Sequence, residues 1–220
     1  MTGRPVSSTT DAERERMGNQ ADRLALSETS RIEAFSDGVF AIAITLLILE
    51  IQVPHADGAE RLTAALAHLW PSYLAFLASF MTIGVMWMNH HRLFTLIERS
   101  DGGLMALNLL LLLGQTWIPF PTALLAEHLR GRDMRVAGIV YAASFFVISI
   151  VFNVLWRYAV RMKLVADDIN VDLITKQYTL GPIMYGLLVV VAIYSATWVL
   201  ILSALYALYF ALPPRIWGRK

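Results

Sequence analysis

Residues 31–49 read Arg31-Ile-Glu-Ala-Phe-Ser-Asp-Gly-Val-Phe-Ala-Ile-Ala-Ile-Thr-Leu-Leu-Ile-Leu49, charged at the start and, after a single acid at position 37, apolar throughout except for Thr45. A threonine hydroxyl can bond back to its own helix backbone, so lipid or a dry protein interior accepts residues 42–49 as helix. The stretch predicts a membrane-spanning helix with polar chemistry at one end. Asp37 is the residue that needs a reason. An ionisable side chain near the start of a span is costly unless it finds a partner, and by default it marks a functional or organising site. Its place in the first turns also lets the helix dipole favour the anion.

The composition agrees with a membrane protein. Of the 220 residues, 57% are hydrophobic and 16% charged, against about a quarter charged in ordinary soluble domains. A net charge of +1, with no basic stripe outside the apolar blocks, gives no reason to expect nucleic acid as a partner. The absence of cysteine excludes disulfides, thiolate chemistry and cysteine metal sites.

Residues 1–30 are rich in Ser, Thr, Arg, Glu and Asp and contain no aromatic residue, which predicts a flexible cytoplasmic tail. Residues 12–26 can form a charged helix but carry too little apolar surface to hold one alone. The first span is placed at 32–53, closed by Pro54 and opened by a capping box of Ser30 and Glu33. Further spans follow at 70–97, 103–125 and 136–158. Residues 178–212 are too long for one span, and the pair Tyr194-Ser195 suggests two short helices joined by a tight turn. The fold is therefore expected to be an all-α membrane protein of six spans, with a six-helix transmembrane domain over 31–212 and a short basic cytoplasmic segment over 213–220.

Basic residues test that count. With both termini cytoplasmic, the inner segments hold fourteen arginines and lysines, among them Arg31, Arg92, Arg99, Arg157, Arg161, Arg215, Arg219 and Lys220, and the outer segments hold only Arg61, Arg130, Arg132 and Arg135. The positive-inside rule favours this arrangement.

At about 100° per residue, Phe35, Ile42, Leu46, Leu49 and Val53 form one stripe, with Arg31 near its inner end, and Asp37 lies roughly opposite with Ala41, Ile44 and Ile48. The acid thus points toward the helices packed behind the seam. The second span ends Trp87-Met-Asn-His-His-Arg92 at the same membrane level, so an Asp37 contact with a histidine or with Arg92 is geometrically reasonable. On a helix His90 and His91 diverge by about 100°, so they face different neighbours. The cluster reads either as a structural fastening at a helix end or as a pH-sensitive latch.

Arg31-x-x-x-Phe35-Ser36-Asp37-Gly38 followed by Val39 to Leu49 resembles the first-helix signature of the transmembrane protein 175 family of potassium-permeable channels. Trp87-x-x-His90-His91 is similar to that family's second helix. The resemblance implies a prokaryotic single six-helix unit that assembles as a homotetramer around a central pore, whereas animal relatives carry two units per chain. It implies a constriction at Ile42, Leu46 and Leu49, a selectivity role for Thr45, and a hydrogen-bonding network of Arg31, Ser36, Asp37, Trp87, His90 and His91 that holds the first helix. The resemblance also implies potassium as the permeant ion, protons as a further one, and the prokaryotic plasma membrane as the location.

No Thr-Val-Gly-Tyr-Gly stretch is present, so a filter of backbone carbonyl rings is not on offer. An apolar collar would act by width and dewetting, with modest selectivity. The rival reading is a monomeric proton- or cation-coupled transporter, which would need a polar path through one bundle. Other chemistry is thin. His55, His68 and His128 are isolated, with no His-Glu-x-x-His pattern, so neither a metal site, a cofactor nor an enzyme is expected. Asn108, Gln115 and Asn153 lie inside apolar blocks and read as hydrogen-bonding glue between helices. Pro119, Pro121 and Pro182 read as kinks or helix ends.

Overall fold

In the computed structural model, residues 8–54 and 61–211 are described. The basic segment at 213–220 and His55 lie outside them. The first helix, α1 (Ser8–Leu46), does not begin at the Ser30 capping box. Residues 12–26 hold Ala, Arg, Glu, Leu and Gln, with one glycine and no proline, so nothing stops the helix from running through Ser30. The boundary at 30 is a change of composition and not of backbone. At its other end α1 stops earlier than the expected residue 53. It tightens into a 3₁₀ turn over Leu47–Glu50 and leaves helical geometry at Ile51, before Pro54.

A short helix α2 (Leu62–His68) leads into α3 (Trp70–Phe94), whose Pro71 sits in the first turn where its missing N–H costs nothing. Beyond Phe94 the chain turns, so the second span is shorter than the expected 70–97. Asp101 caps α4 (Gly102–Trp117) by accepting from the Leu104 N–H at 2.7 Å. Pro119 and Pro121 then withhold the next helical donors, and α5 (Pro119–His128) continues after a break. After α6 (Met134–Arg161), Asn170 caps α7 (Val171–Ala192), which starts well before Tyr178. A tight turn at 193–195 joins it to α8 (Ala196–Ala211), as the Tyr194-Ser195 pair suggested. Pro182 lies inside α7 and does not end it.

Among the described residues, four helical stretches are long and apolar enough to cross a membrane: Glu28–Glu50, Trp70–Phe94, Gly102–His128 and Met134–Arg161. Helices α7 and α8 pack on them, α7 mainly along α6 and α8 mainly along α3. Gly138 permits the α6–α8 approach, since a Cβ there would lie 3.0 Å from Ala196 Cβ. Polar staples join the helices. Ser79 of α3 shares hydrogen bonds with Thr122 of α5 at 2.8 Å and Tyr141 of α6 at 3.0 Å, all buried. At the end where α3 and α6 finish, Ile97 and Val165 pair as an antiparallel bridge, and the Tyr158 hydroxyl donates to Asp101 at 2.9 Å. These links fix the ends of α3, α4 and α6 and so set the level at which α1 is gripped.

Candidate functional site

Helices α1 and α3 run antiparallel, and two polar contacts mark their register. Trp87 Nε1 donates to Asp37 Oδ1 at 2.8 Å, and His91 Nδ1 meets Glu33 Oε1 at 2.6 Å. Positions 33 and 37 are one turn apart, as are 91 and 87, so each acid finds the partner at its own level. Neither histidine nor Arg92 is the partner of Asp37. Trp87 occupies that place because it shares a face with His91, while His90 is turned away from both.

His90 instead points into the bundle, stacked on Phe94 at 4.5 Å between centroids and close to Phe40 at 5.3 Å. Its Nε2 lies 2.9 Å from Asn108 Oδ1, the Asn108 amide donates to Ser36 Oγ at 2.9 Å, and Ser36 donates to the Ile32 carbonyl at 2.8 Å. This buried chain ties α3, α4 and α1 together. Asn108 is the joint, so the glue role read from its sequence position has a specific pair of partners. Glu33, read from the sequence only as a cap, is a second tether; its i, i+4 spacing from Asp37 opposite Trp87 and His91 is the signal for it. Arg31 is exposed and makes no hydrogen bond or ion pair among the described residues, although the resemblance placed it in the network.

The opposite side of α1 is bare. Ile42 is 59% exposed, Leu46 40% and Leu49 70%, whereas Phe40, Ala43 and Leu47 on the bundle side are at most 3% exposed. Phe35 and Val53 lie on the same open stripe. Thr45 is exposed too, with its hydroxyl donating to the Ala41 and Ile42 carbonyls at 2.9 Å. One detail departs from the ideal wheel. The 3₁₀ turn advances about 120° per residue, and Ile48, expected on the Asp37 side, is exposed beside Leu49.

A helical membrane protein whose first span is fastened by polar contacts on one side and left open along an apolar seam on the other is the class this arrangement defines. The comparisons narrow it. The family model described as the endosomal/lysosomal potassium channel TMEM175 matches residues 31–119, the part that contains the seam, the acids, Trp87, both histidines and Asn108. A potassium channel of Chamaesiphon minutus is 53% identical over 194 residues, 84% of this chain and 95% of that protein. A potassium channel of Streptomyces collinus is 45% identical over 190 residues, 84% of this chain and 92% of the other. The crystal structure of a lysosomal potassium-selective channel TMEM175 homolog from Chamaesiphon minutus superposes with a TM-score of 0.76 at 51% identity, over 84% of this chain and 97% of that one. The chain belongs to the TMEM175 family of ion channels, which are not enzymes. Its animal relatives are named endosomal/lysosomal proton channels; the human protein is 38% identical over 133 residues, which span 26% of its length.

Proposed function

We propose that this chain is a potassium-permeable cation channel, formed by four copies of a six-span unit at 31–212 whose first helices meet around a shared axis. Ile42, Leu46 and Leu49 form the constriction, and Thr45, one step aside, influences which ion passes. The carrying observation is the split of α1 into a fastened side and an open side, with the open side holding the three residues that the family resemblance puts at the pore. Exposure of Leu and Ile by itself would suit lipid equally well, because acyl chains are as apolar as these residues. Membership of a channel family is what favours the pore. Close relatives named potassium channels support potassium as the permeant ion, and animal relatives named proton channels support protons as a second one.

In this reading the gate is a matter of wetting. A ring of four isoleucines or leucines expels water when narrow and so raises the barrier to any ion; a small widening admits a partly hydrated cation. Because no charged or carbonyl ring replaces the hydration shell, preference for potassium over sodium is modest. Ser36, Asp37, Trp87, His90 and His91, with Asn108 and Glu33, hold α1 at a fixed height and rotation, so that the seam and not the acid meets the axis. The excess of basic residues on one side supports a plasma-membrane orientation with both termini cytoplasmic.

Native mass measurement in mild detergent, paired with potassium flux from vesicles holding the purified protein, tests the reading. Fourfold assembly with potassium flux supports it. A monomer that carries ions only in exchange for protons would replace it with a transporter.

A further inference from the structure

A chamber of about 60 Å³ lies between α3, α4, α6 and α7, walled on one side by Phe40 of α1. One water needs roughly 10–15 Å³, so the space exceeds a single water. Its walls are mostly apolar, with Val85, Leu111, Ile148 and Phe152 beside Phe40. Two polar atoms in the wall have no partner. Gln115 Oε1 and the Tyr178 hydroxyl are both buried without a hydrogen bond, although the same glutamine donates from Nε2 to Met86 Sδ at 3.3 Å. Orphaned groups of this kind are costly, roughly 1–3 kcal/mol each, and they call for an occupant. Pro182 deepens the need, because it has no N–H to offer the Tyr178 carbonyl one turn back.

We propose that this chamber binds a small neutral molecule of the phenol or alkanol class, largely apolar and carrying one hydroxyl. No charged side chain lines the chamber, so an ion would be desolvated without compensation. A hydroxyl both donates and accepts, which suits an amide oxygen that only accepts and a tyrosine hydroxyl that donates. An aromatic body suits the rings of Phe40, Phe152 and Tyr185. Asn89, Ser149 and Gln177 also border the chamber, but most of its wall is apolar, so one hydroxyl on an apolar body suits it better than a cluster of waters, each of which needs two to four polar partners. The site sits on the rear face of α1, against the side of the helix opposite the seam, and its occupancy does not depend on the pore reading.

The test uses the full-length protein in lipid nanodiscs. Binding of 4-fluorophenol is followed by fluorine NMR, and the position of 4-iodophenol is read from the anomalous signal of iodine in crystals. Saturable binding, with iodine in the chamber, is expected for the wild type. Tyr178→Phe removes an atom without a partner, so it leaves the melting temperature of the free protein unchanged or raised while weakening 4-fluorophenol roughly three- to tenfold. Gln115→Met weakens it similarly, and fluorobenzene, which lacks the hydroxyl, binds the wild type less well by the same factor. Ordered water alone in the chamber, or equal binding by the wild type and both variants, would overturn the proposal.

Discussion

Asn108→Ala takes away two buried hydrogen bonds and leaves His90 with none. In the native subunit Asn108 accepts at His90 Nε2 and donates to Ser36, both at 2.9 Å, and His90 Nδ1 is already without a partner. Hydrogen bonds between membrane helices average about 0.6 kcal/mol, and a stranded buried polar group costs about 1–3 kcal/mol more. The variant should therefore lose about 2–4 kcal/mol of subunit stability. Ser36→Ala should lose less, about 1–2 kcal/mol, because it breaks one bond and strands one amide N–H of Asn108 while the histidine keeps its asparagine. The two losses should not add: with Asn108 already gone, Ser36→Ala has no inter-helix bond left to break, and a coupling of about 0.5–1 kcal/mol is expected. Equilibrium unfolding in mixed micelles with added dodecyl sulfate, followed by tryptophan fluorescence, measures all three variants. A loss below 1 kcal/mol for Asn108→Ala, or strict additivity with Ser36→Ala, would refute the view that this chain of contacts fastens α1.

Three further outcomes follow from particular contacts. Asp37→Ala removes the half-exposed Trp87 contact, and it should reduce the yield of assembled channel on size exclusion while leaving ion preference in the surviving channels unchanged; full yield with altered preference would move Asp37 into the ion path. Gly103→Ala sets a methyl against the Tyr158 ring, which can swing aside only by giving up its hydrogen bond to Asp101, so it should lower the melting temperature modestly, and it should cost less in a Tyr158→Ala background. Tyr141→Phe breaks the bond to Ser79 within the buried α3–α5–α6 staple and should cost about 1 kcal/mol in the same unfolding measurement.

Much of the first helix is legible in its sequence. Helical phase alone separates Ile42, Leu46 and Leu49 from Asp37, because the wheel depends only on spacing. The turn at 193–195 and the break before Pro119 were legible too, since small polar residues and proline act locally. What escaped depended on neighbours. A capping box is satisfied only if the chain before it is not helical, and upstream residues with good helical propensity removed that condition at Ser30. The partner of Asp37 is fixed by the antiparallel register of α1 and α3, which one sequence does not display, so the histidines drew attention that belonged to Trp87. The end of the first span is not legible because a 3₁₀ turn carries no signature distinct from the α-helix it extends.

Single-channel recording of Ile42→Asn beside the wild type, in planar bilayers with potassium on one side and sodium on the other, tests most directly whether the seam faces the ion path. A polar ring at the narrowest point keeps water in place, so conductance should rise, closures should shorten, and the reversal potential should move toward zero as selectivity falls. Currents identical to the wild type in size, gating and reversal potential would mean that Ile42 faces lipid, and that the pore lies elsewhere.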